Sequence, residues 1–136
     1  MRVMVLVKAN ADSEAGRMPD TQLLTEMGAY NEQLVEAGIM LAGEGLHPSS
    51  KGVRVKFAGI APSVRPGPFT DSNDLLAGFW LWRVKSMDEA VDWARRAPFK
   101  DGEIEIRPVF EAEDFGAEMT PELRAQEDRL RDKVGR

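Results

Sequence analysis

Two stretches of this 136-residue chain are apolar at consecutive positions, and they restrict the fold more than any other feature. Arg2 to Lys8 encloses Val3-Met4-Val5-Leu6-Val7, and Leu75 to Val84 encloses Leu76-Ala77-Gly78-Phe79-Trp80-Leu81-Trp82. A strand with one wet face alternates apolar and polar residues, whereas an unbroken apolar run belongs to a strand covered on both sides. Both runs are therefore expected as central strands of one sheet. Edge positions fall to chain with a polar side. Glu103, Glu105 and Arg107 alternate with Ile104, Ile106 and Pro108, and the strand expected from Ile39 to Leu46 is broken by Gly43 and Gly45, where glycine marks a bulge or a close backbone approach.

The helices announce their ends. Thr21 to Ala37 carries Leu23, Leu24, Met27, Tyr30, Leu34 and Val35 at helical spacing, with Asp20 placed to cap its start and Gly38 to supply the left-handed stop. Ser86-Met87-Asp88-Glu89 is a capping box, and the helix it opens ends before Pro98 with Arg95 and Arg96 in its last turn. Thr120-Pro121-Glu122 opens a C-terminal helix that is mostly charged, with Leu123, Leu130 and Val134 as a thin apolar stripe, expected to pack weakly or on a partner. Ala9 to Met18 reads as a polar loop. Val53, Val55 and Phe57 alternate with Arg54 and Lys56 as a strand with one wet face, and Ser63 to Arg65 returns beside it as a hairpin arm.

With that arm set aside, the order is strand, helix, strand, strand, helix, strand. This is the split βαβ of ferredoxin type, in which the first and third strands are central and the second and fourth are edges. The expected fold class is α+β, a ferredoxin-like split βαβ with an extra hairpin, forming a dimeric α/β barrel, plus a C-terminal helix. The domain is expected over residues 1–115, with a charged helical extension over 116–136. Helices on one face leave the other bare, yet the central strands are apolar on both sides; a second copy covering that face makes the chain a homodimer.

Composition excludes several classes. Cysteine is absent, so disulfides, thiol nucleophiles and thiolate metal sites are ruled out. No apolar run approaches the ~20 residues that span a bilayer, and Lys8, Asn10 and Asp12 interrupt the N-terminal run too early for a signal peptide, which leaves the cytoplasm as the default. Net charge is −5 and no Lys/Arg cluster appears that neutralises a run of phosphates, so direct nucleic-acid binding is not expected. Gly43-Glu44-Gly45 leads into His47-Pro48 rather than a helix, so it is no phosphate loop.

Gly43-Glu44-Gly45-Leu46-His47-Pro48, Gly67-Pro68-Phe69-Thr70-Asp71, Ala77-Gly78-Phe79-Trp80, Ser86-Met87-Asp88-Glu89-Ala90 and Glu103-Ile104-Glu105-Ile106-Arg107-Pro108-Val109 occur in this order. As a set they resemble the YCII-related superfamily, specifically its DGPF-domain branch. The resemblance implies a dimeric ferredoxin-like α/β barrel, sometimes encoded near or fused to alternative sigma factors. Two departures stand out. Pro66 replaces the Asp that names the DGPF motif, and Asp71 and Asn73-Asp74 replace the Glu and Lys-Glu that usually follow it, so that Asp71 keeps a carboxylate nearby. The His on the first helix that some members pair with an Asp is missing here, so that dyad is not carried over.

Candidate chemistry gathers around the rigid loop that feeds the second apolar strand. His47 is the only histidine, and with Glu44 or Asp71 in reach its imidazole can act as a general base. The catalytic candidates are His47 and Asp71; Lys8, Glu44, Arg65, Phe69 and Arg107 are candidate substrate contacts. No metal or cofactor is expected, because the carboxylates near His47 show no ligand spacing. Ser49 and Ser50 read as turn residues, and Trp80 and Trp82 as core, with at least one of Phe79, Trp80 and Trp82 facing the dimer interior. The expected function is binding of a small polar or anionic metabolite, with cofactor-free proton transfer through His47. The alternative is a non-catalytic ligand-binding or protein-interaction module linked to transcription regulation, its C-terminal helix contacting a partner.

Overall fold

The computed structural model describes residues 1–70 and 74–135. The strands are β1 (Arg2–Lys8), β2 (Met40–Gly45), β3 (Val53–Lys56), β4 (Ser63–Pro66), β5 (Leu76–Arg83) and β6 (Ile104–Pro108); the helices are α1 (Ala11–Glu14), α2 (Thr21–Glu36), α3 (Met87–Arg95) and α4 (Pro121–Lys133). Four strands form one antiparallel sheet in the order β2-β5-β1-β6, and β3 pairs with β4 in a separate hairpin. The two unbroken apolar runs occupy the central positions and the half-polar strand an edge, as the split βαβ requires. The fold is α+β and ferredoxin-like.

Capping residues fix the helices where the sequence places them. Asp20 accepts from the Leu23 amide, Ser86 from Glu89 and Thr120 from Leu123, each satisfying an N–H that the first helical turn leaves without a partner. Two elements differ from expectation. The polar stretch after β1 is partly helical, because Asn10 and Ser13 cap each other's backbone amides and hold one short helix, α1. The hairpin has no dry face: Val53 is 64% exposed and Val64 66%. A 3-10 segment, Ala112–Glu118, precedes α4, and Glu111 before it forms a bidentate pair with Arg2 at 3.0 and 3.2 Å. That hydrogen bond with Arg2 holds the Glu111 carboxyl below its ordinary range.

Register sorts the sheet into two unlike faces. Val3 stands opposite Trp82 and Val5 opposite Trp80, and these four side chains meet Tyr30 and Leu34 of α2 and Ala90 of α3 in the core. Gly43 lies opposite Trp80, where a Cβ would come within 2.7 Å of the indole, so the glycine makes room for the ring. The Trp80 indole N–H donates to Asn31 at 3.0 Å, and the Tyr30 ring meets Trp80 edge-on at 5.9 Å. Phe79, by contrast, turns to the opposite face with Leu6.

Tyr30 donates its hydroxyl to the Trp93 carbonyl at 2.6 Å, and burial pushes its pKa up to about 12 against the lowering effect of Arg96. A phenol that resists ionisation in the fold costs nothing while both states are protonated. Stability is therefore full below the unfolded value and falls as pH rises from the unfolded to the folded one, by about 2 to 3 kcal/mol. In alkaline denaturation the Tyr30→Phe variant is expected to lose this part of the pH dependence. An identical alkaline slope in the two proteins would contradict it.

Candidate functional site

The face away from α2 and α3 is built by the alternate residues of the same four strands. One row across it reads Glu44, Phe79, Leu6, Glu105 and the next Ala42, Leu81, Met4, Arg107. Met4, Leu6 and Phe79 are half-buried and Leu81 is buried, so the middle of this face is apolar and its flanks are charged. Lys8 reaches Glu105 at 3.3 Å, and Arg107 stands 3.9 Å from the other Glu105 oxygen. Lys8 and Arg107 are thus held around one carboxylate. Glu105 was not among the sequence candidates, although alternation along β6 places it beside Arg107 and register places it beside Leu6.

Three loops converge at the end of the sheet where β1 and β2 finish and β5 begins. Glu14, at the end of α1, accepts from both the backbone N–H of Ser49 at 2.9 Å and its hydroxyl at 2.5 Å. The same hydroxyl oxygen accepts from the Phe69 amide at 3.0 Å. One serine thereby ties the helix after β1, the 3-10 turn Ser49–Lys51 and the Gly-Pro-Phe loop together. Gly67, joined to Pro68 by a cis peptide bond, donates its N–H to the Gly52 carbonyl at 2.9 Å. Replacing Ser49 by alanine removes the hydroxyl from both partners and leaves the Phe69 amide without its acceptor, at a cost of about 1–3 kcal/mol. Urea unfolding of Ser49→Ala is expected to show that loss; a midpoint equal to wild type would show that the bridge carries no stability.

The candidates fall into separate groups. Lys8, Glu44 and Arg107 share the open sheet face. Arg65 and Phe69 meet at the base of the hairpin, the guanidinium carbon 5.1 Å from the ring centroid, with Arg54 closer at 3.9 Å. His47 is exposed on the loop leaving β2 and makes no hydrogen bond to Glu44 among the described residues. Asp71 lies outside the described residues. Among those described, no three His, Asp or Glu side chains converge as metal ligands, and no helix is long and apolar enough to cross a membrane.

The family model described as the YCII-related domain matches residues 1–113. An uncharacterised protein of Rhizobium meliloti (strain 1021) is 30% identical over 93 residues, which span 66% of this chain and 75% of that protein. Among solved structures, 5-chloro-2-hydroxyhydroquinone dehydrochlorinase (TftG) of Burkholderia phenoliruptrix, in complex with 2,5-dihydroxybenzoquinone, is 19% identical and aligns over 82% of this chain and 96% of that chain, with a TM-score of 0.40.

Proposed function

The chain belongs to the YCII-related family, and on that premise we propose that it acts as a homodimer that binds a small polar or anionic metabolite against the open face of its sheet. The observation that carries this reading is the composition of that face, an apolar floor of Met4, Leu6, Phe79 and Leu81 rimmed by Lys8, Glu44, Glu105 and Arg107. Apolar walls with a few placed polar groups are the make-up of small-molecule sites. A second copy laid over the floor removes it from water and turns an open surface into an enclosed one. The rim then meets the charged part of a ligand whose apolar part lies on Phe79 and Leu6.

His47 stands on the loop that leaves β2 just beyond Glu44, and an imidazole there supplies a base for proton transfer without a cofactor, with Glu44 or Asp71 as its carboxylate partner. In this reading the family domain ends near residue 115, and residues 116–136 form an extension to it.

A thermal-shift screen against small organic acids, phenols and sugars tests the proposal. At least one acid is expected to raise the midpoint of wild type, since ligand at 100 times its Kd adds about 2.7 kcal/mol. Arg107→Gln is expected to lose that stabilisation. His47→Ala is expected to keep binding and lose turnover of the same compound; equal turnover would remove His47 from the chemistry, and no discriminating acid would remove the site.

A further inference from the structure

Two apolar surfaces away from the sheet face water. The first is the tip of the β3–β4 hairpin, where Phe57 is 83% exposed and Ile60 fully exposed on either side of the turn at Gly59, whose φ is 75°. The second is a groove between the 3-10 segment Ala112–Glu118 and α4, with Phe115, Met119, Leu123 and Leu130 as its floor and Glu118 and Glu127 on its rim. Phe115, Leu123 and Leu130 are each about half exposed. Apolar patches rimmed by polar groups mark interaction sites.

The two surfaces carry opposite charge. The segment from Gly45 to Thr70 holds Lys51, Arg54, Lys56 and Arg65 and no acidic residue, and register sets Arg54, Lys56 and Arg65 on one side of the hairpin. Residues 111–122 hold Glu111, Glu113, Asp114, Glu118 and Glu122 and no basic residue. Part of this charge is engaged within the chain. Arg54 and Arg65 lie against the Phe69 ring, Glu111 pairs with Arg2, Glu113 with Arg124 and Glu127 with Arg131. Lys56, beside Phe57, and Glu118, on the groove rim, form no ion pair among the described residues.

From this match we infer that the hairpin tip of one copy docks in the α4 groove of a second copy, with Phe57 and Ile60 on the apolar floor and Lys56 against Glu118. Within one chain the tip and the groove do not cover each other, since both are exposed. Their placement suits an exchange between copies. The hairpin rises from the loops at the end of β1, where Ser49 binds Phe69, whereas Arg2 at the start of β1 holds Glu111 and the segment leading to α4. A two-fold axis lying across the strands, between two facing sheets, brings opposite ends together, so the contact is made twice. Apolar burial at the tip supplies the attraction, and the rim charges select the partner and its register. The inference rests on the homodimer reading for the facing sheets and adds a second interface to it.

The test is cross-linking, which a chain without cysteine makes specific. Full-length Ala61→Cys and Gln126→Cys chains, changed at exposed positions beside Ile60 and in the groove, are mixed and treated with a short bis-maleimide. A two-chain product is expected from the mixture, but not from either chain alone or from Ala61→Cys mixed with Gln33→Cys, an exposed site on α2. Lys56→Glu added to the Ala61→Cys chain is expected to remove most of the product, and Glu118→Lys added to the Gln126→Cys chain to restore it. Circular dichroism reports that each variant is folded. Product formed equally by Ala61→Cys alone would show tip meeting tip and overturn the inference. A two-chain mass without product in the mixture would overturn it while leaving the covered sheet face intact. Product that persists when both chains carry Leu6→Glu supports the groove contact even where the sheet faces do not pair.

Discussion

Replacing Gly67 by alanine is expected to cost about 3 kcal/mol of stability and to lift the Gly-Pro-Phe loop off its seat. A Cβ at this position would stand 1.8 Å from the Ser49 carbonyl oxygen and 2.7 Å from its carbon, with the Gly52 oxygen at 3.4 Å. All three atoms are backbone, so no side chain can rotate aside to relieve the clash. Gly67 is needed for close approach, not for a left-handed conformation, since its φ is not positive. The loop can make room only by giving up the Gly67 to Gly52 bond or the Phe69 to Ser49 bond, and the second releases the ring beneath Arg54 and Arg65. Chemical denaturation should therefore show a lower midpoint. Gly45→Ala is the control, because a Cβ there meets nothing within 4 Å. Equal stability of the two variants would show that the loop is not packed as described.

Trp82→Ala is expected to be the most damaging single truncation in the core, at about 3–5 kcal/mol. Trp82 is fully buried, 5.7 Å from the Trp80 ring, and stands between Val3 on β1 and Met40 on β2. Removing it opens a cavity where the sheet meets both helices. Its indole N–H, however, has no partner among the described residues. A buried donor left unpaired carries a desolvation cost of about 1–3 kcal/mol, which phenylalanine does not incur. Trp82→Phe should accordingly unfold much closer to wild type than to Trp82→Ala. If phenylalanine proves as damaging as alanine, the indole nitrogen is satisfied in solution and the packing account of this position is wrong.

Much of the fold was legible because it depends on local patterns. Unbroken apolar runs marked β1 and β5 as central, and Asp20, Ser86 and Thr120 marked where α2, α3 and α4 begin. Helix α1 escaped notice because it is one turn long, with no apolar periodicity; its stability lies in the reciprocal Asn10 and Ser13 caps. The alternation at Val53 and Val55 indicated a face in need of cover, but alternation does not say which surface supplies it. The site was less legible, since its contacts link distant positions. Nothing local ties Glu14 to Ser49, 35 residues away, or brings Glu105 against Lys8. The basic side of the hairpin was hidden for another reason. Arg54, Lys56 and Arg65 are separated by apolar residues in the chain, so a search for contiguous basic runs passes over them, and only strand register brings them together.

The open sheet face is central to the proposed function, and the mass of the protein in solution tests it most directly. Sedimentation equilibrium in the micromolar range should give about twice the 15.1 kDa of one chain for wild type. Leu6→Glu, which sets a carboxylate in the middle of the apolar floor, should reduce it to a single chain with the helical content retained. A wild-type mass of 15.1 kDa throughout that range would contradict the covered face and the enclosed site built on it.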